Sequence, residues 1–116
     1  MSKAGLIAAG EALRLDDLIA PVPHGIASRV LAKTGGGNLT LFAFAPGEGL
    51  SEHTAPFDAL VMVLEGSLSL TIGGSVVEAA AGTIVRMPAD IPHAVDAREP
   101  SRMLLIMLRE PKPTQP

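Results

Sequence analysis

No apolar run in this chain is longer than six residues, and Gly, Pro, Asn or Asp interrupts the sequence every few positions from residue 21 onward. Such spacing leaves no room for long amphipathic helices and matches the turn-punctuated short strands of an all-β sandwich or barrel. The runs read as strands are 28–33, 39–45, 50–54, 58–64, 68–72, 76–79, 83–87, 93–96 and 102–108. Between them, Gly35-Gly36-Gly37-Asn38, Glu65-Gly66 and Gly73-Gly74 supply residues that accept the positive φ of tight hairpins. Only residues 11–19 carry helical spacing, through Leu15, Leu18 and Ile19, and Pro21 and Pro23 stop it. One short N-terminal helix is therefore expected, then strands alone.

With 116 residues the chain has the size of one domain. We expect a helix and lead-in over 1–23, a barrel over 26–109 and a tail over 110–116. Apolar residues make up 47% and charged ones 18%, enough apolar surface to offset the entropy of folding. Six apolar residues in a row fall far below the ~20 a membrane-spanning helix needs, and the N-terminus lacks the apolar core of a secretion signal. A soluble, cytoplasmic protein is the expectation. Its net charge is −3 with basic residues scattered singly, which argues against nucleic acid as a partner. There is no Cys, Trp or Tyr, so thiolate chemistry, Cys-held metals, a phenol acid and aromatic stacking platforms are excluded. Site chemistry must come from His, carboxylates, hydroxyls or backbone.

The runs 59–64 and 103–108 are apolar on both parities, so both faces of those strands need cover. A barrel offers one interior. The remaining cover is expected to be a second subunit, giving a homodimer with Leu60, Met62, Leu64 and part of 103–108 in its interface.

Two stretches carry more specific information. Residues 46–66 contain Gly47, His53 and Gly66, and residues 81–96 contain Gly82, Pro88 and His93. These resemble the two motifs of the cupin superfamily, G-x5-H-x-H-x3-E-x6-G and G-x5-P-x-G-x2-H-x3-N. The resemblance implies a small jelly-roll β-barrel with His53 and His93 facing one cavity. It also implies a metal site of three His and one Glu, yet Ala55 stands at the second His position, Ala59 at the Glu position, and Asp90 at the turn Gly.

Two imidazoles fall short of the three protein ligands of catalytic zinc or the two His and carboxylate of non-haem iron. Asp58 is the nearest carboxylate, and its one-residue offset from Ala59 points it to the opposite face unless a β-bulge intervenes. Two functions follow as expectations. The first is a cupin that binds a small polar or anionic molecule, with His53 and His93 as polar contacts and Phe57 and Val61 in the pocket wall. The alternative is a metal-dependent dioxygenase, isomerase or decarboxylase in which His53 and His93 hold Zn, Fe, Mn or Ni. Ala55 and Ala59 read either as small core residues or as a widening of the pocket. Of the Arg86-Met87 pair, alternation turns one inward. His24, in a Pro-flanked loop, reads as surface.

Overall fold

The computed structural model describes residues 6–109. Nine strands follow one short helix, α1 (Leu15–Leu18): β1 (Ile26–Thr34), β2 (Gly37–Phe44), β3 (Gly49–His53), β4 (Asp58–Glu65), β5 (Ser67–Ile72), β6 (Ser75–Ala80), β7 (Ile84–Met87), β8 (His93–Ala97) and β9 (Ser101–Leu108). Each expected strand is present, with no end moved by more than two residues. They form two antiparallel layers, β1-β2-β9-β4-β7 and β3-β8-β5-β6. The fold is the expected jelly-roll.

The helix is shorter than the sequence pattern suggested. Arg14 at its N-cap makes no side-chain capping bond and no helix residue is buried, so neither capping nor packing extends it toward residue 11. The turns obey their glycines: Gly73 and Gly74 both have positive φ, at 57° and 85°, as a two-residue hairpin needs. Asp90, where the motif has Gly, adopts φ 64° itself, a conformation Asp tolerates better than most residues.

Alternation sorts each strand of the five-stranded layer. Along β4, Ala59, Val61 and Val63 are buried inward while Leu60, Met62 and Leu64 face the other way. The inward set meets Phe44, Leu68, Leu70, Val95, Met103 and Leu105 in the core between the layers.

The outer set is covered differently from what the sequence led us to expect. Leu18, Ile19 and Val22 pack across the outer face onto Leu41, Ala43, Leu104, Met62 and Leu64. The chain thus covers part of its own second apolar face and leaves Met62 and Leu64 half-buried. Arg102 fastens this cover: from β9 its guanidinium donates to the carbonyl oxygens of Asp16 (3.2 Å) and Ile19 (2.9 Å) and pairs with Glu65. Farther along the sheet the face stays open, with Leu39 and Ile84 exposed and Leu60 half-buried.

Candidate functional site

His53 and His93 lie 40 residues apart in sequence and opposite each other in the β3–β8 ladder. A bulge makes this possible. Gly49 and Leu50 pair with Asp96 and Val95, and then Ser51 and Glu52 together oppose a single residue before His53 meets His93. Plain alternation from the inward Leu50 would have turned Glu52 inward and His53 out. The extra residue reverses them, so an imidazole and not a carboxylate lines the cavity. The loop after β7 supports the other ring: the Asp90 N–H donates to the Ala55 carbonyl (2.8 Å), tying together the two segments that deliver the histidines.

His93 is 4% exposed and His53 lies open to solvent, so the pair spans from interior to rim. Their rings meet edge to face at 4.3 Å between centroids, with the two Nε2 atoms 3.1 Å apart. The Nδ1 of His53 is 2.8 Å from the Ser51 carbonyl oxygen, and that of His93 is 3.1 Å from the Ile91 carbonyl oxygen. A carbonyl only accepts, so both protons belong on Nδ1 and both Nε2 atoms present lone pairs. Two lone pairs at this separation repel. A cation shared between them removes the repulsion and leaves one positive charge at the cavity.

The cavity holds about 50 Å³ and is lined by both histidines with Leu50, Ala55, Phe57, Ala59, Val95, Leu105 and three methionines, Met87, Met103 and Met107. No carboxylate lines it. Cross-strand, Ala59 sits between Met87 of β7 and Met107 of β9, and all three line the cavity. Val61, expected in the pocket wall, is fully buried in the core and does not line the cavity. Phe57 does line it, and the Arg109 guanidinium sits 4.9 Å from the centroid of its ring, a cation beside the lining that nothing in the sequence marks.

Asp58 turns to the outer face. Its carboxylate accepts from the Arg86 guanidinium (2.8 Å) and from the Ala89 N–H (2.8 Å). The Ala89 amide, and after it Arg86, hold the Asp58 carboxyl below the usual carboxylate range. Met87 is thus the inward member of its pair and Arg86 the exposed one. The three-His, one-Glu metal site implied by the resemblance does not fit these residues. Among the described residues no three His, Cys, Asp or Glu side chains group to hold a metal. His24 is exposed, as expected.

A larger recess of about 450 Å³ lies on the outer face of the four-stranded sheet, bordered by Ser69, Thr71, Asp96 and Arg98. The Ser69 hydroxyl already donates to Glu78 (2.8 Å), and no histidine faces the recess.

Two antiparallel layers closing over a cavity with a histidine pair at one end define a jelly-roll. The family model described as "Cupin domain" matches residues 40–108, and the chain belongs to that family. A conserved protein of unknown function from Streptococcus pyogenes is 31% identical over 96% of this chain and 97% of its own, with a TM-score of 0.87. A cupin superfamily protein from Desulfitobacterium hafniense is 27% identical over 91% and 96%, with a TM-score of 0.83. A cupin 2 conserved barrel domain protein from Leptotrichia buccalis is 35% identical over 84% of this chain and 47% of its own, with a TM-score of 0.81. No curated protein matches the sequence. Among the described residues no helix is long and apolar enough to cross a membrane.

Proposed function

We propose that this cupin binds the acidic head of a small molecule at the His53–His93 pair. The observation that carries the reading is the lining: apart from thioethers, its only polar side chains are two imidazoles whose Nε2 atoms face one another. With a cation between them the rings attract an anion, and Arg109 over Phe57 adds a second positive charge beside the lining. The volume supports a short head. About 50 Å³ holds a few water-sized groups, well short of the ~300 Å³ at which pockets enclose whole small molecules, so most of such a ligand rests outside, against Phe57 and Arg109.

The experiment is a thermal-stability titration with acetate, then larger mono- and dicarboxylates, on the wild type, His53→Gln and His93→Gln. A saturable rise in midpoint in the wild type, absent from both variants, supports the reading. Equal rises in all three proteins refute it.

A further inference from the structure

Met107 is the one methionine among the described residues whose sulfur accepts a hydrogen bond. Asn38 Nδ2 lies 4.0 Å from its Sδ, and the hydroxyl of the buried Thr40 donates to Asn38 Oδ1 (3.1 Å). That second bond fixes the amide so that its N–H edge faces the sulfur. We propose that Met107 is a site of reversible oxidation by hydrogen peroxide, with Asn38 as the positioning residue that speeds the reaction and holds the sulfoxide product. The inference does not rest on the anion reading, and it uses neither histidine.

The donor matches the product better than the starting group. A thioether is a weak acceptor, whereas oxidation turns it into a polar sulfoxide. With an S–O bond of ~1.5 Å, an oxygen added on the amide side comes within the ~2.7 to 3.2 Å of an N–H···O hydrogen bond. Access separates the methionines as well. Met87 and Met103 are buried, whereas Met107 is half-buried and borders both the cavity and a recess of about 180 Å³ beside the β1–β2 hairpin, which Asn38 also lines. That volume admits hydrogen peroxide to the sulfur and the amide together. Met62 is half-buried too, but it packs in the apolar cluster of the outer face and has no such donor, which makes it the internal control.

In the reaction a sulfur lone pair attacks one peroxide oxygen, the S–O bond forms as the O–O bond breaks, and the bonding pair leaves on the other oxygen. The proton of the transferred oxygen passes to the leaving one, so sulfur is oxidised by two electrons and the peroxide is reduced to water. The Asn38 N–H donates to the transferred oxygen as negative charge develops on it. Because the amide stands on one side of the sulfur, it selects one of the two lone pairs and hence one sulfoxide epimer.

The test exposes the whole chain, 13C-labelled at the methionine methyls, to excess hydrogen peroxide and follows each methyl resonance. In the wild type Met107 is expected to oxidise at least about fivefold faster than Met62, Met87 or Met103. After proteolysis, the peptide carrying Met107 sulfoxide is reduced by one of the two epimer-specific methionine sulfoxide reductases and not by the other. Asn38→Asp keeps the size and removes the donor; it brings the Met107 rate down to that of Met62 and yields both epimers, with an unchanged urea midpoint showing that the variant is folded. The rate ratio and the epimer ratio are read within the wild type and need no variant. A Met62 rate equal to or above that of Met107, equal epimers in the wild type, or a folded Asn38→Asp variant that oxidises Met107 at the wild-type rate would each overturn the proposal.

Discussion

Arg102 is the residue whose replacement reads out most directly how the outer face is held. It is 9% exposed, next to the apolar run of β9, and its guanidinium donates to two backbone carbonyls of the N-terminal segment and pairs with Glu65 and, at 3.6 Å, with Asp16. The two carboxylates contribute little to the balance. The Glu65 and Asp16 side chains are 43% and 71% exposed, so both return to water when the partner is removed. The two carbonyl bonds are charge-assisted and lie against packed apolar residues, at ~1 to 2 kcal/mol each. Loosening the segment also exposes part of Ile19, whose full burial is worth ~2 kcal/mol.

Met in place of Arg102 keeps the packing of the stem and removes the donors. Arg102→Met should then cost about 2 to 4 kcal/mol in urea unfolding followed by far-UV circular dichroism, or roughly 8 to 16 °C in midpoint. Trypsin should also cleave after Arg14 at least tenfold faster than in the wild type while the barrel stays intact. A loss below about 1 kcal/mol together with unchanged cleavage would refute the latch.

Three further outcomes are expected. Because its folded-state pKa is lowered, Asp58 contributes stability that is present above its ordinary value of 3.8 and lost as pH falls below it; Asp58→Asn should flatten this acid limb in urea midpoints measured from pH 6 downward, and a parallel decline in both proteins would contradict the assignment. Gly66→Ala places a methyl group against the Pro100 carbonyl and Ser101 at a φ of 76°, so a loss of about 2 to 4 kcal/mol is expected by denaturation, and a change under 0.5 would show that this turn yields freely. The homodimer is proposed over the outer face around Leu60, Met62 and Leu64 with the neighbouring Leu39 and Ile84, the last 57% exposed; sedimentation velocity at micromolar concentration should give a dimer that Ile84→Lys dissociates, and a wild-type monomer would remove it.

The strands were legible because glycine and proline punctuate them and because alternation is a local property. The doubly apolar runs 59–64 and 103–108 likewise announced two covered faces. What covers the outer face was not legible: Leu18, Ile19 and Val22 sit in a Pro-rich lead-in, and the one charged residue that anchors them, Arg102, lies at the edge of an apolar run. In the site, motif resemblance pointed both histidines to one cavity where alternation alone would have misplaced His53, since a bulge leaves no periodic trace. Met87 and Met107 carried no signal because their position beside Ala59 depends on register between strands far apart in the chain. Arg109 gave none either, being one cation next to the C-terminal tail.

The His53–His93 ladder pair also sets an order of events. Hairpins such as β5–β6 close over a two-residue turn, whereas β3 and β8 can pair only after the 39 intervening residues have been gathered in, a loop whose closure entropy must be met by contacts formed beforehand. The imidazole pair therefore assembles late in folding, and an occupant that requires both rings recognises only chains in which the two layers have already closed.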